Sequence, residues 1–395
     1  MRKTIILLAL LTAFPPMSTD MYLPALPLLG KLWGQPEAAI NLTLVLWFVT
    51  YCVFLLVYGP VSDRVGRRPP LLWGVGLFIV ASLGCAMADG LTMLLAARVA
   101  QAAGAAASTV MAMAMAKDLF EMRQRAKVLA YISVINALAP MLAPTLGGWI
   151  MAWLSWRWVF AAQALLAAAV LPQIARMNEP LQAPIKVKAS HAVLAYARLF
   201  KNWRFSCLNA AMALPNLAMF AFIAASPAIY ISGFGLSESV FGYFFGFNAL
   251  AMMVGAYGYS FFGRGFSPLK IMLTSFVGMA VGGAGLVFLP HQQSPWMVAL
   301  PMWVVSFCIG LNRPPANNLI LEQVSADTGS ASSLIALAIM SSGAVAMFVA
   351  SLAWADKAAV IGALAMVGGA TAFVALVAMR HSLAGLEPMS ARATS

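Results

Sequence analysis

The chain has 395 residues, 62% of them hydrophobic and only 9% charged, with a mean hydropathy of +0.87. A soluble domain carries roughly a quarter charged residues, so this composition excludes an ordinary soluble protein and indicates an integral membrane one. The net charge of +12 invites a nucleic-acid partner, but the basic residues lie between apolar runs. Membrane sidedness explains them better, and no nucleic acid is expected.

Each apolar run is long enough for a helix that needs about 20 residues to cross hydrocarbon. None sustains the alternation of a barrel strand. Runs and breakers predict spans over 4–29, 39–60, 70–88, 92–116, 127–151 and 155–175, then 205–232, 239–262, 269–289, 296–318, 331–354 and 358–379. The expected fold class is therefore an all-α membrane protein with twelve transmembrane helices in two pseudo-symmetric six-helix halves. The halves are 1–175 and 205–379, joined by a cytoplasmic loop at 176–204 and followed by a tail at 380–395. Arg2-Lys3 followed by Thr4–Phe14 has the outline of a signal peptide. No small-x-small cleavage site follows, however, and Pro15-Pro16 leads into further apolar chain, so an uncleaved first span is predicted.

Orientation follows from the basic residues. With both termini inside, of the 24 Lys and Arg only Lys31, Arg157 and Lys357 fall outside, while Arg98 and Arg313 fall within spans. Cys52, Cys85, Cys207 and Cys308 are scattered singly through apolar runs, where packing rather than a disulfide or metal framework is expected.

Asp20 is the one acid well inside an apolar run and away from the charged loops. An intramembrane carboxylate costs about 2.5–3.5 kcal/mol at the centre of a span on insertion scales and is by default a functional candidate. It is read as a proton carrier; the competing reading is a shallow acid that solvates a helix end near the outer interface. Pro15, Pro16, Pro24 and Pro27 make the same helix irregular. In the fourth span Arg98 is followed by Gln101, Ala105 and Thr109 at helical spacing. An arginine keeps its charge and needs a partner inside the bundle, with Asp20 the obvious candidate, through water or intermittently. Snorkelling to an interface is the alternative.

In the fifth span Asn136, Pro140, Pro144 and Gly148 recur every four residues on one stripe, with Ala143 and Gly147 beside it. Prolines bend such a helix and small residues let neighbours approach closely. That suits a seam on which two halves rock, although a static packing kink shares most of the physics.

The run Gly59-Pro60-Val61-Ser62-Asp63-Arg64-Val65-Gly66-Arg67-Arg68 is read as a charged loop and cytoplasmic gate. Gly59 and Gly66 allow tight turning. Asp63, Arg64, Arg67 and Arg68 can pair with neighbouring helix ends, and Asp118 is the expected partner of Arg67. Purely topogenic charge explains the arginines but neither Asp63 nor the glycines.

A large mixed substrate cavity is expected from Tyr22, Gln101, Asn209, Met212, Asn216, Asn248, Asn312 and Arg313. Arg313, followed by Pro314-Pro315, has three readings left open: holding a half-channel open to water, contacting an anionic substrate group, or reaching the inner interface. No phosphate-binding loop is present, and His191, His291 and His381 are far apart. No enzyme activity, cofactor or metal is expected.

Four ordered motifs in the first half carry a family resemblance. Gly59-x-x-x-Asp63-Arg64-x-Gly66-Arg67-Arg68 resembles the loop between helices 2 and 3 of the major facilitator superfamily of transporters. Arg98-x-x-Gln101-x-x-Gly104 resembles its fourth-helix motif, and Ala143-Pro144-x-x-Gly147-Gly148 its fifth-helix antiporter motif. Ser155-Trp156-Arg157-Trp158-Val159-Phe160 fits the entry to helix 6. Ser18-Thr19-Asp20-Met21-Tyr22-Leu23-Pro24-Ala25-Leu26-Pro27 is similar to the first-helix signature of the bicyclomycin/chloramphenicol-resistance (Bcr/CflA) exporters, a subgroup of the 12-helix drug:proton antiporters. Ala143 and Ala102 stand where the motifs usually have glycine. The second half matches only by hydropathy and a faded Gly263-Arg264-Gly265 loop.

The resemblance implies a bacterial inner-membrane exporter of small uncharged or cationic antibiotics, driven by protons, with Asp20 in the coupling and Arg98 assisting. Where some multidrug relatives carry a second acid one to two turns earlier, this chain has Thr12, so divalent-cation export is not expected. The expected partners are a small-molecule substrate, protons and the bilayer, with a monomer as the working unit. A proton-coupled metabolite exporter, for an amino acid or a sugar, stays open as an alternative. So does a transport-dead sensor that kept the fold.

Overall fold

A computed structural model describes residues 2–181, 196–290, 293–324 and 328–383. The predicted loop segment 182–195 and tail segment 384–395, with Lys186, Lys188, His191, His291 and Arg392, lie outside the described residues. The described residues are helical throughout, without a strand. Among the described residues twelve helical spans are long and apolar enough to cross a membrane, and the chain is a multi-pass membrane protein.

Two compact units divide the chain: one comprises 1–189 with 236–246, the other 190–235 with 247–395. In the first unit the opening span is α1 (Arg2–Asp20), a 3₁₀ turn (Leu23–Ala25) and α2 (Leu26–Trp33). Next come α3 (Glu37–Val65), α4 (Arg68–Ala86), α5 (Leu91–Leu119), α6 (Met122–Trp153) and α7 (Trp156–Ala175). The core forms where α4 packs on α5 and α7, α3 on α5, and α1 on α5 and α6. The buried run from Gln101 to Ser108 on α5 is mostly alanine and glycine, small enough for close helix contact in lipid, where apolar burial alone supplies no drive.

The second unit opens with a helix at 196–201 (α8), then α9 (Trp203–Ala213), a 3₁₀ turn (Leu214–Asn216), α10 (Leu217–Pro227) and a π-helical turn (Ala228–Gly233). Helix α11 (Glu238–Phe262) belongs to the first unit through Gly246 and to the second from Phe247, and α12 (Pro268–Phe288), α13 (Trp296–Leu321), α14 (Thr328–Ser351) and α15 (Lys357–Met379) complete the second. Within this unit α12 packs on α13 and α15, and α10 on α14 and α15. Large apolar side chains such as Trp73, Leu165, Tyr257 and Phe288 are exposed on the outer faces, as expected where lipid replaces water.

Two expectations need correction. The charged run 59–68 is not a ten-residue loop: α3 continues to Val65 and α4 starts at Arg68, leaving only Gly66 and Arg67 between them. Gly59 therefore lies inside a helix and turns nothing. Charge does not stop a helix that satisfies its own backbone, so α3 runs on past the end of its apolar stretch. Cys207, expected to pack inside, is exposed on α9, whereas Cys52, Cys85 and Cys308 are buried. A small apolar side chain is tolerated on the outer face of a membrane helix.

Candidate functional site

The first span breaks because Pro24 has no N–H for the carbonyl of Asp20 and its ring crowds that carbonyl. Helix α1 thus ends at Asp20, buried at 5% exposure. The last four carbonyls of any α-helix lack intrahelical partners, and here two of them are met by side chains. Gln163 Nε2 donates to Met17 O at 3.2 Å and Arg98 Nη1 to Ser18 O at 2.9 Å.

Gln101 is the hub of this network. Its Oε1 accepts from Arg98 Nη1 at 2.6 Å and Ser18 Oγ at 3.1 Å. Its Nε2 donates to Ser82 Oγ at 2.8 Å and Gln163 Oε1 at 2.9 Å. Every donor and acceptor position of the amide is used, and α1, α4, α5 and α7 are tied together.

Arg98 is fully buried, and its guanidinium carbon lies 5.0 Å from the Tyr22 ring centre, 5.6 Å from Trp47 and 6.0 Å from Phe160. Ring faces attract such a cation, yet Arg98 Nε and Nη2 and Trp47 Nε1 have no hydrogen-bond partner among the described residues. Asp20 Oδ1 accepts from Thr19 Oγ1 at 2.8 Å. Arg98 and Asp20 are near enough for their charges to interact. They form no direct ion pair, however; among the described residues the pairs are Arg67–Asp63, Arg67–Asp118 and Arg157–Asp89.

On α6, Asn136 is exposed and Pro140 half-buried, while Pro144, Gly147 and Gly148 are buried. A side chain at Gly147 would strike the Met21 carbonyl at the break of the first span. One at Gly148 would strike the backbone of Glu238 and Ser239, which belong to the same compact unit.

At the turn between α3 and α4, Gly66 adopts φ +96°, open to glycine but strained for other residues. Arg67 donates through Nη1 to Asp63 Oδ1 at 2.6 Å and Ser62 Oγ at 2.7 Å, and through Nε to Asp118 Oδ2 at 2.8 Å. Burial alone would lower the pKa of this guanidinium; the two carboxylates outweigh it and raise the pKa above the ordinary arginine value. Arg64 is exposed, and Arg68 Nη2 donates to Ala175 O. Glu179 completes the cluster: its Oε1 accepts from the Arg67 backbone N–H at 2.7 Å and its Oε2 from that of Arg68 at 3.0 Å.

The second unit holds a cavity lined by Asn209, Met212, Asn216, Asn312, Arg313 and Asn317, with isoleucines from α13 and α14. Five of the eight residues expected to line one cavity meet here. Asn248 is buried on α11 but does not line it, and Tyr22 and Gln101 belong to the Arg98 network of the first unit.

Sequence reasoning passed over Gln163, Ser82 and Glu179. Signals existed: Gln163 is an amide in the middle of an apolar span, and Glu179 is the only acid between 176 and 204.

Twelve spans and buried charged networks describe a multi-pass membrane protein. The Major Facilitator Superfamily model matches residues 8–347. The chain belongs to that family; it is a transporter, not an enzyme. It is 28% identical to Multidrug resistance protein D of Escherichia coli (strain K12), covering 84% of each chain. It is 30% identical to the Chloramphenicol resistance protein of Pseudomonas aeruginosa over 76% of this chain and 72% of that one. Among solved structures, a D-xylose-proton symporter superposes with a TM-score of 0.73 at 15% identity, covering 93% and 96%; that likeness concerns the fold alone.

Proposed function

We propose that this protein is a proton-coupled antiporter that exports small amphipathic drugs, phenicol-like antibiotics among them, across the bacterial inner membrane. The observation that carries the reading is Asp20. It is a buried carboxyl at the end of a broken membrane helix, close to a permanently charged, fully buried Arg98 whose Nε and Nη2 lack partners. A carboxyl there is neutral when protonated and a ready acceptor for those donors when not. Loading and unloading a proton then changes how the break in α1 is held. Resistance proteins among the relatives support a drug as cargo.

The protein works by alternating access of its two six-helix halves, with both termini cytoplasmic and a monomer as the working unit. The cluster of Arg67, Asp63, Asp118 and Glu179 acts as the cytoplasmic gate, and the Gly147–Gly148 stripe as the seam. The second-unit cavity supplies part of the substrate site.

The test is reconstitution in liposomes with an internal pH dye. Addition of chloramphenicol or florfenicol should trigger a proton flux in wild type and none in Asp20→Asn, with part retained in Asp20→Glu. Normal drug-driven flux in Asp20→Asn would remove Asp20 from the coupling. Flux with an amino acid or sugar and none with drugs would replace the cargo by a metabolite.

A further inference from the structure

The cavity of the second unit carries a specific chemical imbalance. Asn209 is 9% exposed and Asn312 3% exposed, and the Oδ1 atom of each is buried without a hydrogen-bond partner. Asn209 cannot correct this by flipping its amide, because its Nδ2 donates to Leu334 O at 3.2 Å. Asn216 likewise gives its amide hydrogens to Met212 O and Ala213 O. A buried acceptor left unmet carries most of its desolvation cost, so these two, from α9 and α13, form a prepared site for donors. Arg313 lines the same cavity and forms no ion pair with any described residue. It adds fixed positive charge to the cavity. Met212 and Ile335 supply apolar wall.

We infer that this cavity is a selectivity site for uncharged amphiphiles whose polar end carries hydroxyl donors, read by Asn209 and Asn312, and that Arg313 excludes lipophilic cations. A cation brought beside Arg313 is repelled, whereas a neutral donor-bearing molecule meets acceptors that no described residue satisfies. The inference deepens the export reading and rests on it only for the identity of the cargo.

Full-length protein in lipid nanodiscs would be titrated with chloramphenicol, its di-O-acetyl ester, isopropyl thiogalactoside and tetraphenylphosphonium. Wild type, Asn312→Leu and Arg313→Gln would be compared after matching their thermal midpoints. Chloramphenicol should bind wild type, and both the acetyl ester and the Asn312→Leu variant should cost about tenfold in affinity, the value of one well-placed hydrogen bond. Arg313→Gln should keep chloramphenicol within about threefold, a fraction of that hydrogen-bond value, and gain tetraphenylphosphonium binding. Equal affinity for the ester, wild-type affinity in Asn312→Leu, or no binding of any probe would overturn the inference. If wild type binds and pumps tetraphenylphosphonium, the selectivity site falls while drug export stands. If the thiogalactoside binds with the Asn312→Leu sensitivity and chloramphenicol does not, the site stands and drug export falls.

Discussion

Leu23-Pro24-Ala25 interrupts the first span of one unit, and Leu214-Pro215-Asn216 interrupts the opening span of the other. The backbone device is the same: a proline that cannot donate, a single 3₁₀ turn, and a helix resuming at leucine. What surrounds the two breaks differs. Near the first, the unmet polar atoms are donors, Arg98 Nε and Nη2 with Trp47 Nε1; at the second they are acceptors, Oδ1 of Asn209 and Asn312. The first break also ends on a carboxyl, and the second on an asparagine that caps its own helix end. A duplicated backbone plan has thus been filled with opposite chemistry, one side suited to a titrating acid and the other to a neutral ligand.

The feature both breaks share should give the largest effect. Gly147 on α6 faces the Met21 carbonyl, and Gly368 on α15 faces the Leu214 carbonyl, each too close for a Cβ. The obstacle is backbone in both cases, so no rotamer change relieves it. Gly147→Leu and Gly368→Leu are each expected to cost more than about 3 kcal/mol, as overpacking against rigid structure does. Thermal unfolding in detergent should show both as poorly folded. A mild effect at one break and a severe one at the other would mean that the two are not held alike.

A second pair of substitutions separates the networks. Gln101→Leu strips partners from Arg98, Ser18, Ser82 and Gln163 at once. It should destabilise by about 2–4 kcal/mol, because several buried polar groups go unmet. Asn209→Leu removes one hydrogen bond and one already unsatisfied acceptor. Its cost should stay below about 1 kcal/mol, the net worth of a single bond. Denaturation of the two variants side by side measures the contrast; equal costs would erase it.

The twelve spans were legible because lipid demands long apolar helices, and that demand is written into hydropathy. The chemistry of Asp20 and Arg98 was legible for the same reason, since charge inside apolar runs is conspicuous. Arg67 and Asp118 could be named as neighbours because Asp118 closes the fourth span and Arg67 lies in the charged run between the second and third. Helical continuity through Gly59–Val65 was hidden, because glycine, proline and charge mark loops in soluble chains, whereas here they extend a helix past its apolar stretch. Gln163 and Glu179 were hidden for another reason. Their roles depend on which carbonyl or N–H lies opposite, at separations of 146 residues for Gln163 to Met17 and 112 for Glu179 to Arg67. No local pattern encodes such a pairing.

Glu179 offers the smallest test, and it concerns a third kind of helix end. Its two oxygens take the backbone N–H groups of Arg67 and Arg68 where α4 begins, so a carboxylate from beyond α7 caps a helix more than a hundred residues away. At the membrane break of the first unit carbonyls rather than N–H groups are exposed, and amide and guanidinium donors take the role. Glu179→Gln keeps one acceptor and removes the charge that complements the helix N-terminus, so about 0.3–1 kcal/mol should be lost. The loss should shrink as salt is raised, because this interaction is only partly buried. A loss that ignores salt would mean that Glu179 acts through shape, filling the space over Gly66, where an added Cβ would lie 2.6 Å from Oε2.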